Sequence, residues 1–236
     1  MTEENYLLWE NYMLSCMEDS AHDREHIYRV LYTALEIART EQDVNYDVLV
    51  CACLLHDIGR KEQFENPSVC HAMAGADKAY AFLVENHFTK EFAERVSRCI
   101  RVHRFRKDCR PERIEEMILF DADKIDVSGT IGIARTLLYK GQLSQPLYSL
   151  TPDGQISDGT DDSRESFFQE YKYKLEKIYD SFYTARGKEI AKGRQESAVR
   201  FYRSLLQEVR ESYCEGRELL HEMLDKGCYD EKDHAF

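Results

Sequence analysis

Residues 46–60 read YDVLVCACLLHDIGR. From Val48 to Leu55 every position is apolar or small, so no face is left for water. A surface helix carries a polar stripe, whereas a run that is apolar all round belongs in the middle of a fold. We therefore expect a helix over residues 46–57 at the centre of the molecule, beginning near 45–47 and ended by Gly59. His56 and Asp57 then stand at the tip of the most buried element. Burying a carboxylate costs several kcal/mol unless a partner compensates it. A divalent cation is such a partner, and the negative end of the helix dipole favours it further. The plain alternative is a His-Asp pair that ends a helix facing water.

The segments on either side repeat at helical spacing. Leu8, Tyr12 and Cys16 share one face over residues 5–17, with Trp9 and Met13 beside them. Ser20 opens Ser-Ala-His-Asp, a capping box in which Ser20 and Asp23 satisfy each other's backbone donors. The helix that follows carries Ile27, Val30, Leu31, Ala34 and Ile37 on one face. Ser68 and Thr89 are placed to cap helices over 69–85 and 90–103, and Pro111 suits a first helical position before Ile114, Met117, Ile118 and Phe120. A further helix runs through Ile131, Ala134, Leu137 and Leu138. Residues 144–163 combine Pro–Gly turn signals with a run of Asp and read as a long surface loop. Phe167, Tyr171, Leu175, Ile178 and Phe182 make a helical stripe, and a last helix over 186–210 shows Ile190, Val199, Tyr202, Leu206 and Val209. Beyond Asp225 a frayed tail is expected.

Four prolines and eleven glycines in 236 residues are few, which favours long helices over a sandwich or barrel. The expected fold is all-α and a single domain over 1–236: a core at about 20–140, the loop, and a helical extension at about 163–226 packed on that core. A net charge of −12 argues against nucleic acid or an anionic membrane as partner, so an anionic ligand must meet a local positive site. The acidic start Met-Thr-Glu-Glu-Asn does not resemble a signal peptide, and a cytoplasmic protein is expected. None of the eight cysteines forms a Cys-x-x-Cys pair, so they read as free thiols, mostly small buried hydrophobes.

The chemistry lies in an ordered set. His26 occurs in HIYRV, His56 and Asp57 in HDIGR at 56–60, and Asp121 and Asp123 in DADKID at 121–126. Histidine and carboxylate together bind borderline-to-hard divalent cations, and four ligands from separate segments can close a site. In this order and spacing the chain resembles the HD-domain phosphohydrolase superfamily. It is most similar to a bacterial branch of small single-domain proteins related to nucleotide pyrophosphohydrolases. GTIGIAR at 129–135 and SFYTARGKEIAKGR at 181–194 add to the likeness, which spans roughly residues 20–210.

The resemblance implies that His26, His56, Asp57 and Asp123 hold the metal. Preferring Asp123 to Asp121 follows the family's Ala-Asp-basic pattern; helical periodicity leaves both open, and Asp121 is expected to support the ligands from behind. The implied activity is hydrolysis of phosphate esters or anhydrides, since a bound metal acidifies water and polarises a phosphoryl oxygen. Asp57 would hold the metal and orient the water. Manganese is the expected ion, ahead of magnesium, cobalt, iron or zinc. A small nucleotide is the expected substrate: a triphosphate split to monophosphate and pyrophosphate. A phosphodiesterase or dinucleotide hydrolase, or a non-catalytic nucleotide-binding regulator, are the competing readings.

Cationic side chains should surround such a site. Arg60 follows the His-Asp turn, Lys124 follows Asp123, and eight Lys or Arg residues fall between 95 and 113. Among these, Arg101, Arg104, Arg106 and Lys107 are candidates for a wall that receives polyphosphate; a solvated helix face is the alternative. His71 and His103 lie in the interval from which two-metal relatives draw extra ligands, and would bind substrate or a second metal. His22 is expected to support His26.

Overall fold

The computed structural model describes residues 1–17, 24–104, 109–160, 162 and 164–225. Its central element is a helix over Tyr46–Leu55, in which every residue from Val48 to Leu55 is buried. Asn45 starts it: its side chain accepts the Val48 N–H at 3.1 Å, while its own N–H donates to Glu115 Oε1 at 2.8 Å. In chain order the helices are α1 (Glu3–Cys16), α2 (Arg24–Ala38), α3 (Tyr46–Leu55), α4 (Arg60–Glu65), α5 (His71–Glu85), α6 (Lys90–Val102), α7 (Ile114–Asp126), α8 (Gly129–Gln142), α9 (Phe167–Glu170) and α10 (Ala185–Asp225). The fold is all-α: among the described residues, strand-like pairing is confined to an isolated bridge between Leu150 and Ile156. No described helix is long and apolar enough to cross a membrane.

Contacts cluster into two units, Met1–Ser128 with Tyr179–Gly193, and Gly129–Ile178 with Arg194–Phe236. In the first unit, α1, α2, α6 and α7 pack around α3, and α5 lies on α6. The core they enclose includes Trp9, Met13, Val30, Ile37, Leu49, Leu54, Ile100 and Leu119. Cys51, Cys53 and Cys99 are buried in it as free thiols, and burial raises the pKa of each. In the second unit, Tyr202 of α10 stacks on Tyr171 with ring centroids 3.9 Å apart, and Phe167 and Phe168 are buried.

Thr89 caps α6 as expected, accepting the Phe92 N–H at 3.2 Å. Other boundaries differ. Ser68 does not cap α5; its hydroxyl turns back to Asn66 Oδ1 at 2.7 Å, and the helix opens at His71 after Cys70. Pro111 lies ahead of the Arg113 cap instead of inside α7. The stripe from Phe167 to Phe182 is not one helix. Helix α9 passes into a π turn at Tyr171–Leu175 and a 3-10 turn at Ile178–Asp180, because side-chain spacing records which residues face inward and says little about the hydrogen-bond ladder. The final helix outruns its expected end near 210 and continues to Asp225. The Ser20–Asp23 capping box and the tail beyond Asp225 lie outside the described residues.

Gly59 does not end the central helix by a left-handed turn. Helix α3 stops at Leu55, and Gly59, with φ −93°, is the cap of α4. Glycine is required there by a close approach: a Cβ on Gly59 would lie 2.3 Å from the His71 carbonyl oxygen and 2.5 Å from the Gly75 nitrogen. That contact brings the first turn of α5 against the start of α4. Gly59→Ala must push two backbones apart, and we expect a loss of about 1–3 kcal/mol in urea unfolding together with loss of activity. Unchanged stability would show that the contact is softer than it looks.

Candidate metal centre

Five helix ends of the first unit meet at one point. His56 follows the last residue of α3 and His103 the last of α6; each is the C-cap of its helix. Each ring is set by a bond to the carbonyl three residues back, His56 Nδ1 to Cys53 O at 2.8 Å and His103 Nδ1 to Ile100 O at 2.6 Å. His71 is the first residue of α5, and its Nδ1 faces Gln63 Oε1 at 2.6 Å. His26 lies in the first turn of α2, with Nδ1 on Asp126 Oδ2 at 2.7 Å. Asp123 and Asp126 come from the last turn of α7.

A carbonyl or carboxylate oxygen only accepts, so Nδ1 must be the protonated nitrogen in His26, His56 and His103, and the amide oxygen of Gln63 asks the same of His71. All four Nε2 atoms are thereby aimed inward. His26 Nε2 lies 3.3 Å from His56 Nε2, 3.3 Å from Asp123 Oδ1 and 3.5 Å from Asp57 Oδ2. The other oxygen of Asp57 faces the opposite way, 3.4 Å from His71 Nε2 and 3.8 Å from His103 Nε2. Two ligand groups result, His26–His56–Asp123 and Asp57–His71–His103, with Asp57 directing one oxygen toward each.

His71 Nε2 and Asp57 Oδ1 are buried and take part in no hydrogen bond. The proton is a weak substitute for a cation. Burial lowers the affinity of His26 for protons, but the bonds to Asp123, Asp126 and Asp57 outweigh it and carry its pKa up to about 10. Burial keeps the other three neutral: His56 is lowered, His103 falls to about 4 with His56 beside it, and His71 falls to about 2 with Arg60 beside it. Burial works against ionisation of Asp57 and Asp123, yet Arg60, His56 and His26 hold the first far below the usual carboxylate range, and His26, His103 and His56 do so for the second. The centre is therefore built of three neutral imidazoles, ionised carboxylates, and a His26 ring whose Nε2 proton a metal ion would displace. That donor set fits a divalent cation of borderline hardness.

The remaining candidates fall in different places. Asp121 stands away from the cluster: it accepts from Tyr183 N at 2.9 Å, Thr184 N at 2.7 Å and Thr184 Oγ1 at 2.6 Å, anchoring the start of α10. Arg60 Nε lies 3.0 Å from Asp57 Oδ1. The Lys124 ammonium sits 4.5 Å over the Phe120 ring. Arg104 is exposed, and its charge is felt at His71. Arg95 and Arg101 are engaged elsewhere, with Glu115 at 3.0 Å and Asp77 at 2.9 Å. His22, Arg106 and Lys107 lie outside the described residues.

Three supporting residues escaped the sequence reading: Asp126, Arg29 and Gln63. Asp126 stands within the DADKID motif, three residues after Asp123, and Arg29 one helical turn after His26. Helical spacing was the signal that could have found both.

Comparison with known proteins agrees with this geometry. Residues 24–128 match the HD domain family model. YpgQ of Bacillus subtilis is 26% identical over 196 residues, which cover 81% of this chain and 86% of that protein. The crystal structure of YpgQ in complex with ADP matches with a TM-score of 0.67 at 26% identity, covering 86% of this chain and 97% of that one. An HD-superfamily hydrolase from Bacillus thuringiensis matches with a TM-score of 0.66 at 26% identity, covering 87% and 97%.

Proposed function

We propose that the protein is a metal-dependent nucleotide phosphohydrolase, because residues 24–128 match the HD domain family model and the fold is similar to that of an HD-superfamily hydrolase. It cleaves a phosphoanhydride bond of nucleoside triphosphates, releasing monophosphate and pyrophosphate. The observation that carries the reading is the convergence of four inward Nε2 atoms on two ionised carboxylates. The binding of ADP by YpgQ, a relative of similar fold, supports a nucleotide as substrate.

His26, His56 and Asp123 would hold one divalent ion and His71 and His103 a second, with Asp57 shared between them. Manganese is our first choice of metal. When bound, such an ion supplies Lewis acidity, acidifying water and neutralising charge on phosphoryl oxygens. The protein's own part is placement. Carbonyls, Gln63 and Asp126 fix each imidazole before the metal arrives, so little reorganisation is left for the reaction. Arg60, whose Nε lies 3.0 Å from Asp57 Oδ1, and Arg104, whose charge is felt at His71, are proposed to receive phosphate oxygens. With a net charge of −12, the chain needs such a local reversal of sign to admit a polyphosphate.

Incubation of the full chain with mixed nucleoside triphosphates and manganese, followed by anion-exchange chromatography, tests the reaction. Monophosphate and pyrophosphate in equal amounts are expected. Diphosphate and orthophosphate as sole products, or no turnover with manganese, magnesium, cobalt, iron or zinc, would overturn the proposal.

A further inference from the structure

The four histidines are all supported from behind, but not by the same kind of group. His56 and His103 donate to backbone carbonyls, and His71 to the side-chain amide oxygen of Gln63. These supports are neutral. His26 alone is backed by a carboxylate, Asp126, whose side chain is 4% exposed. Asp126 is itself gripped at both oxygens: Arg29 Nε reaches Oδ1 at 2.7 Å and Arg29 Nη2 reaches Oδ2 at 3.1 Å. A two-pronged arginine keeps a buried carboxylate ionised and fixes its plane.

The surroundings of the two ligand groups differ in sign as well. The His26 group includes Asp123, has one Asp57 oxygen 3.5 Å from His26 Nε2, and stands in front of Asp126. The Asp57–His71–His103 group has the Arg60 guanidinium 3.0 Å from Asp57 Oδ1. A carboxylate behind an imidazole makes it a more basic ligand, and a fixed cation beside a site opposes a second cation.

We infer that Asp126, locked by Arg29, is a positioning residue for His26 and makes His26–His56–Asp123 the tighter of two unequal cation sites. The Asp57–His71–His103 site is the looser and exchanges more readily. This rests on the metal-dependent reading above and adds to it an order of loading.

Calorimetric titration of the metal-stripped full chain with manganese reads it directly. Two phases of unequal affinity are expected. Asp126→Asn should weaken the tight phase by about 10–100-fold and leave the loose phase in place. Gln63→Leu should do the reverse, weakening only the loose phase. Should Asp126→Asn fail to fold, Arg29→Gln keeps the carboxylate on His26 but removes its grip, and a several-fold loss confined to the tight phase is expected. A tight phase unchanged in either Asp126→Asn or Arg29→Gln, or weakening spread equally over both phases, overturns the inference while sparing the metal-dependent reading. Absence of manganese binding in the unmutated chain removes both.

Discussion

Asp57→Ala is expected to abolish turnover and to weaken both cation sites in one step. Asp57 directs an oxygen to each ligand group: one lies 3.5 Å from His26 Nε2, and the other lies 3.4 Å from His71 Nε2. The variant thus removes a ligand from each site and leaves Arg60 without the carboxylate it flanks. Metal charge stabilisation of several kcal/mol corresponds to a fall in kcat of at least about 10²–10³. Steady-state assays with added manganese, and metal analysis after dialysis, measure the two losses. A variant that keeps its metal and most of its turnover would show that Asp57 is a bystander.

The second large effect is on stability. The centre gathers four buried imidazoles and two ionised carboxylates whose burial a proton on His26 only partly compensates. A ligand that binds the folded chain stabilises it by RT ln(1 + [L]/Kd), which is about 2.7 kcal/mol at a hundredfold excess over Kd. For a chain of this length that amounts to about 5–10 °C in Tm. Chelation of the metal-loaded protein should lower Tm by this amount in a calorimetric scan, and manganese should restore it. An unchanged Tm on chelation would mean that the cluster is satisfied without a cation.

Part of the candidate centre was legible in the sequence because it lies where an apolar helix breaks into polar residues. VLVCACLLHD marks His56 and Asp57 in this way, and ILFDAD marks Asp121 and Asp123 alike; the preference for Asp123, and the choice of His26, followed from the family resemblance. What the sequence does not display is pairing across distance. Asp126 meets His26 and Arg29 over separations of 100 and 97 residues, and helical periodicity carries no trace of such a partnership. Gly59 shows the same limit: its position after a helix suggests a left-handed cap, whereas the real constraint is the backbone of α5 pressed against it.

The arginines between 95 and 113 are the clearest case of charge read without its partners. Glu115 and Glu116, at the start of α7, look like exposed first-turn acids, yet both are buried and lie against Arg95 and Arg98. Those two arginines therefore serve the core of the first unit. Arg104 is a member of the run whose charge is felt at His71 of the candidate centre.

The central claim, that these side chains form a metal centre, is tested most directly by metal analysis of His56→Ala. His56 is wholly buried, with its Nε2 3.3 Å from that of His26, so no surface role can stand in for a ligand role. The metal-stripped wild-type chain, reloaded with manganese and dialysed, should retain metal; His56→Ala should lose the ion of the His26 group and all turnover, with the helical circular dichroism unchanged. Full metal and full turnover in His56→Ala would contradict the account.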